Sequence, residues 1–271
     1  MPLLKALFRT CHPLPSLAIT AMFAALVVRA APGGGWGPGL TVPAVLLGEL
    51  SIGWSNDYFD ADRDTLAGRL DKPVAAGLIG RRTVLAAAVT ALALSVVLAF
   101  SINSAVGTVN AMQMLAGWFY NAGLKATPLS GFAYAVGFGL IPEFATATTP
   151  TVGAARPAIL IAAALLGVGG HLANALPDLE ADRLTGVRGL PNILAEKFSV
   201  RTVRSAALVL LAGTSGFLAL GGTPWLWLGF AIAAAVAWWG MGRFGRKPFY
   251  AALAIAGIDV AVLVFGGVPL S

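Results

Sequence analysis

Nine stretches of apolar residues, each closed off by glycine, proline or charge, follow one another along the chain at about 16–28, 42–53, 84–101, 105–119, 132–148, 158–176, 203–220, 224–241 and 249–268. Runs of this kind are the mark of membrane-spanning helices, several of them close to the lower limit of about 17 residues for a crossing. The first ends near Arg29-Ala30-Ala31 in the manner of a secretory leader, but the chain ahead of it, with Pro13 and Pro15, makes a poor n-region; it is read as a true span. The pattern predicts an all-α integral membrane protein, a single domain over residues 1–271, with nine transmembrane helices and a tight outer turn at Gly221, Gly222 and Thr223.

Nine crossings put the two termini on opposite sides, and the basic residues test that topology. Sixteen of the 18 Lys and Arg residues fall in the segments on the N-terminal side, and only Arg29 and Arg156 fall on the other. Basic residues collect on the cytoplasmic side, so the N-terminus is expected in the cytoplasm. Composition agrees: charged residues make up 11% of the chain, hydrophobic residues 58%, and 33 positions are glycine. A soluble domain carries about 25% charge, and the mean hydropathy here is +0.81. The net charge of +6 therefore reports orientation rather than nucleic-acid binding, for which the chain lacks any basic stripe interleaved with stacking aromatics. One cysteine, Cys11, and two histidines, His12 and His171, exclude a disulfide scaffold and argue against a zinc site. Any metal would be held by oxygen.

Nine of the twelve acidic residues share the cytoplasmic side in two groups. After the second run, Asn56, Asp60 and Asp64 recur at four-residue spacing, with Asp57 beside them; after the sixth run, Asn174, Asp178 and Asp182 repeat that spacing. On a helix such residues stack along one face, while Asp62 and Glu180 point away. Carboxylates so spaced repel one another and call for a cation. Magnesium suits all-oxygen sites and is usually shared between a few carboxylates and substrate phosphates. Two stripes continuing two membrane helices thus read as a clamp for Mg²⁺ and a diphosphate, with Lys72, Lys125 and Arg188 in the same loops placed to bind phosphate oxygens.

These motifs resemble those of the UbiA superfamily of intramembrane prenyltransferases. Asn56-Asp57-x-x-Asp60-x-x-x-Asp64 is similar to its first aspartate motif and Asp178-x-x-x-Asp182-x-x-x-Gly186 to its second; Lys72-Pro73 is similar to its basic-Pro pair, and Tyr120-Asn121-Ala122-Gly123-Leu124-Lys125 to its Tyr…Lys segment. The resemblance covers about residues 10–268. It implies a helical barrel around a central cavity capped on the cytoplasmic side, Mg²⁺ as cofactor, and transfer of a prenyl group from a (poly)prenyl diphosphate to an aromatic or lipid acceptor, with Tyr120 among the catalytic residues. Ring faces of Tyr58, Phe59, Trp118, Phe119 or Tyr120 would steady an allylic cation, or else form an interfacial aromatic belt.

Glu49 lies two helical turns from Asn56 on the same face, as a proton acceptor or as a protonated interhelical hydrogen bond. His171 mirrors it ahead of Asp178; Glu143 and Asp259 are expected to be paired or to line the cavity. Two other functions fit parts of the pattern. A terpene cyclase of the same superfamily would close the cation on its own tail with no second substrate. A cation-coupled transporter would carry its charges near the midplane, whereas most here lie at one edge.

Overall fold

The computed structural model describes residues 2–31, 36–149, 151–221 and 223–271, and the regular structure among them is all helical. Gly222, in the outer turn expected from the sequence, lies outside the described residues. The helices are α1 (Leu3–Thr10), α2 (Pro13–Ala30), α3 (Trp36–Leu66), α4 (Arg81–Ile102), α5 (Ser104–Ala122), α6 (Ser130–Gly139), α7 (Ile141–Ala147), α8 (Pro157–Ala175), α9 (Leu179–Leu184), α10 (Leu190–Lys197), α11 (Val200–Leu220), α12 (Trp225–Met241) and α13 (Lys247–Phe265). Five of them, α2, α4, α8, α11 and α13, are long and apolar enough to cross a bilayer. The chain is an integral membrane protein. Each apolar run lies on helix, but the fifth is broken into α6 and α7 at Leu140, just ahead of Pro142, whose missing N–H interrupts the helical ladder.

The chain divides into two compact units, Met1–Gly123 with Ala147–Thr149 and Leu124–Thr146 with Pro150–Ser271. In the first, α2, α4 and α5 pack around α3, and α1 lies against it. Small residues let the helices approach: Gly48 of α3 meets Met114 and Ser95, leaving no room for a methyl group. With 31 residues, α3 is about 45 Å long, well beyond the ~30 Å hydrocarbon core. Its last turns carry the first aspartate motif, and that concentration of charge makes them the end that stands clear of the membrane. A cluster of Ala6, Ile79 and Val84, with Leu7, Trp54, Tyr58 and Val74 packed on it, seats α1 and the segment after α3 against that overhang.

In the second unit α8 packs against α6, α11 and α13, and α12 against α11 and α13. Several polar groups within this apolar body are paired. Asp259 of α13 accepts hydrogen bonds from Ser215 Oγ at 2.5 Å and Thr214 Oγ1 at 3.2 Å, both on α11. Glu143 Oε2 accepts from the Ala155 amide at 2.8 Å. Arg204 of α11 donates to the Arg243 carbonyl at 2.5 Å, and its guanidinium lies 4.8 Å from the centre of the Phe244 ring. Of the two readings open for Asp259 and Glu143, pairing is the one observed.

Candidate active site

The end of α3 is one unbroken helix through Leu66, so the expected face forms: Asp57, Asp60 and Asp64 are all buried, at 2%, 5% and 4% exposure. Asp62, half a turn round, has a side chain 80% exposed and pairs with Arg81 at 2.9 Å. Buried carboxylates need compensating charge. Lys72 supplies most of it: its ammonium stands 2.7 Å from Asp57 Oδ1 and 3.5 Å from Asp64 Oδ2, and 3.5 Å from Asn56 Oδ1. Arg63 pairs with Asp60 at 3.1 Å. The loop 67–80 returns Lys72 to the helix because Gly68, with φ +66, closes α3 in the left-handed conformation while the Arg69 amide donates to the Asp64 carbonyl at 2.9 Å.

Two residues that sequence reasoning did not select complete this group. His12 Nε2 lies 3.1 Å from Asp57 Oδ1. Asn121 donates from Nδ2 to the Ile52 carbonyl at 2.9 Å and to Ser55 Oγ at 2.7 Å, and its Oδ1 accepts from Asn56 Nδ2 at 3.3 Å, which fixes the orientation of the Asn56 amide. Asn121 sat within the Tyr120–Lys125 segment and His12 was one of two histidines in a chain poor in polar groups; neither carried a spacing signal. Burial pushes the Asp57 carboxyl up, but the His12 hydrogen bond and the Lys72 charge outweigh it and hold Asp57 below its usual range. Its second oxygen, Oδ2, is buried without a hydrogen-bond partner.

The second motif departs from the expected geometry. A continuous sixth helix would place Asn174, Asp178 and Asp182 in one stripe, but α8 ends at Ala175 and α9 begins at Leu179, with Pro177 between them. Leu176 keeps helical angles as the C-cap of α8, but Pro177 offers no amide to continue the ladder. Asn174 is therefore exposed at the end of α8, with Nδ2 3.4 Å from the Tyr134 hydroxyl. Asp178 stands at the N-cap of α9, where its carbonyl accepts from the Asp182 amide at 2.8 Å. This motif closes as the first does: Gly186 has φ +76, and the Val187 amide donates to the Asp182 carbonyl at 2.9 Å. The shared Asp-x-x-x-Gly ending, Asp64 to Gly68 and Asp182 to Gly186, was legible in the sequence.

Of the loop cations, Arg188 is exposed and pairs with Glu196 at 2.7 Å. Lys125 lies half-buried in a 3₁₀ turn, Leu124–Ala126, whose backbone meets Gly189 so closely that a side chain there would strike the Lys125 carbonyl. Tyr120 is half-buried in the last turn of α5. Glu49 is half-buried on α3, two turns from Asn56 toward the membrane. His171 is buried, with Nε2 2.9 Å from Ser130 Oγ and its ring 4.6 Å from that of Tyr134. Among the aromatics, Tyr58 is occupied by the Arg81 guanidinium at 4.6 Å, and Trp118 donates to Ser51 Oγ at 3.0 Å while meeting Phe59 edge-on.

The residues fit a hard divalent cation in a particular way. Among the described residues, no three of His, Cys, Asp and Glu converge as a ready-made metal cage. Magnesium does not need one, since it binds through one or two carboxylates and completes its shell with water and phosphate oxygens. The buried, unpartnered Asp57 Oδ2 and the neighbouring carboxylates of Asp60 and Asp64 are donors of that type.

The UbiA prenyltransferase family matches the chain over residues 17–256. The chain belongs to this family. A digeranylgeranylglyceryl phosphate synthase of Methanoregula boonei is 30% identical over 232 residues, spanning 82% of this chain and 78% of the relative. Another, from Methanopyrus kandleri, is 29% identical over 188 residues, 67% of each chain. The fold is shared with a UbiA homologue from Archaeoglobus fulgidus solved with GPP and Mg²⁺, at a TM-score of 0.70 and 16% identity, covering 96% of this chain and 99% of the other. As a UbiA family member the chain is an intramembrane prenyltransferase.

Proposed function

We propose that this UbiA prenyltransferase crosses the membrane nine times from a cytoplasmic N-terminus, and that at its cytoplasmic rim it takes the prenyl group of a prenyl diphosphate and joins it to a glycerophosphate-type lipid. The observation that carries the reading is the buried carboxylate face of α3, with Lys72 held against Asp57 and Asp64 and one Asp57 oxygen unpartnered. The curated relatives are digeranylgeranylglyceryl phosphate synthases, which supports the lipid acceptor, and the A. fulgidus homologue holding GPP with Mg²⁺ supports the donor and the metal.

Mg²⁺ would be held by Asp57, Asp60 and Asp64, together with Asp178 and Asp182 from the second motif; when bound, it neutralises charge developing on the departing diphosphate. Asn56, oriented by Asn121, and Asn174 direct hydrogen bonds at the same head group. Lys72 and Lys125 bind phosphate oxygens, and Arg188 joins them by exchanging Glu196 for phosphate. The allylic C–O bond breaks with its electron pair leaving on pyrophosphate, the acceptor oxygen bonds to the freed carbon, and the acceptor proton passes to a base. Glu49, on the membrane side of Asn56, is that base, and Tyr120, in the last turn of α5 next to Asn121, closes the rim at the level of Asn56.

The test is product formation by the purified chain in detergent. Geranyl, farnesyl and geranylgeranyl diphosphates are supplied with and without Mg²⁺, and with a prenylated glycerol phosphate or a panel of phenols as acceptor. Mg²⁺-dependent pyrophosphate release with a prenylated glycerophosphate product is expected. A phenolic product would replace the acceptor class. A cyclic hydrocarbon or alcohol formed with no acceptor would replace transfer by cyclisation.

A further inference from the structure

His12 joins α1 to α2 in a conformation that L residues avoid. At φ 53 and ψ 62 it is the only non-glycine residue with positive φ among the described residues. The surroundings hold it there. Trp54 Nε1 donates to the Leu7 carbonyl at 2.9 Å, at the end of α1. Gly53 lies beneath the Cys11 backbone so closely that a methyl group would strike the Cys11 carbonyl. His12 then reaches Asp57, one turn beyond Gly53 on α3, with Nε2 3.1 Å from Oδ1. Three contacts thus fasten the α1–α2 junction to a single turn of α3, and the third lands on a carboxylate of the proposed site.

The arrangement at Asp57 is lopsided. His12 and Lys72 both engage Oδ1, the latter at 2.7 Å, while the buried Oδ2 has no partner. A lysine alone cannot hold that asymmetry: its stem is flexible, and this ammonium also serves Asp64 and Asn56 at 3.5 Å each. Without a second donor on Oδ1, the carboxylate is free to turn and offer both oxygens to Lys72. We infer that His12 is a positioning residue which, by fixing Oδ1, keeps Asp57 Oδ2 oriented and free for the metal-diphosphate head group. This rests on the proposed function above.

Glycine adopts the left-handed conformation without strain, so His12→Gly removes the imidazole and leaves the backbone undisturbed, and His12→Gln restores a side-chain donor. Full-length wild type and both variants, in detergent, are titrated with Mg²⁺ and inorganic pyrophosphate by calorimetry, with melting temperature and steady-state pyrophosphate release measured alongside. His12→Gly should melt within a few degrees of wild type, relief of the left-handed backbone offsetting the lost hydrogen bond, yet bind Mg²⁺-pyrophosphate about tenfold more weakly, the effect of one hydrogen bond to a charged group. KM for the prenyl diphosphate should rise by a similar factor, and His12→Gln should recover to within about threefold of wild type. Unchanged binding and KM in His12→Gly overturn the inference. So does weakened binding in both variants together with lowered melting temperatures, the signature of a purely structural role. Wild type that neither binds Mg²⁺-pyrophosphate nor releases pyrophosphate from any prenyl diphosphate overturns the proposed function itself, a pattern distinct from both.

Discussion

The Lys72 ammonium stands 2.7 Å from Asp57 Oδ1, with Lys72 16% and Asp57 2% exposed, so the basic loop after α3 is locked to the helix that carries the first aspartate motif. Breaking a buried pair by removing one partner strands the other charge, at a cost of about 3–5 kcal/mol. Lys72→Met should therefore lower the melting temperature in detergent and reduce turnover at least ~100-fold, since one substitution removes both the counter-ion and the phosphate ligand. Lys72→Arg should recover stability more fully than turnover. Thermal melting and pyrophosphate release, measured on the same samples, separate the two effects.

Burial sorts the carboxylates of α3. Asp60→Ala, and Asp178→Ala in the second motif, should abolish turnover while leaving membrane insertion and folding intact. Asp62, largely exposed and paired only with Arg81 on the surface, should lose no more than about threefold on replacement by alanine, since exposed pairs contribute about 0–1 kcal/mol. Equal losses in all three variants would show that the catalytic face of α3 is not the buried one.

The pH dependence follows from Asp57, whose carboxyl is held below its ordinary value of 3.8. The unfolded chain binds the proton more readily than the folded one, so the stability Asp57 contributes is complete above that ordinary value and is lost as pH falls through the folded value beneath it. Melting curves of wild type and Asp57→Asn should thus differ most above about pH 4 and converge on further acidification. Differential scanning fluorimetry across acidic buffers reads this directly.

Asp259 links α13 to α11 through Ser215 and Thr214. Asp259→Asn keeps a polar partner for both hydroxyls and should cost little. Asp259→Leu leaves the Ser215 hydroxyl without its acceptor, while Thr214 keeps the Leu211 carbonyl, a loss of about 0.6–2 kcal/mol by the usual scale of interhelical hydrogen bonds in membranes. A chemical or thermal denaturation series on these two variants, with pyrophosphate release as a control, should show lowered stability in the leucine variant and retained activity in both at low temperature.

Hydrophobic run length and the basic-residue bias are properties of the chain itself, which is why the helices and their membrane character could be read from the sequence. The carboxylate face of α3 was equally legible: nothing between Trp36 and Leu66 stops the helix, and with 3.6 residues per turn the spacing of Asp57, Asp60 and Asp64 determines which residues share a side. Pro142 and Pro177 showed where this reasoning fails. Apolar periodicity does not report which proline ends a helix: α3 carries Pro43 within it, whereas the fifth run became two helices near Pro142 and the second motif left α8 at Pro177. What only the tertiary structure decided is which groups meet those carboxylates. His12 precedes Asp57 by 45 residues and Lys72 follows it by 15, and their convergence depends on the seating of α1 and on the closure of α3 at Gly68. Sequence spacing sets neighbours along one helix; contacts across elements come from packing, and packing gave Asp57 two partners on one oxygen and none on the other.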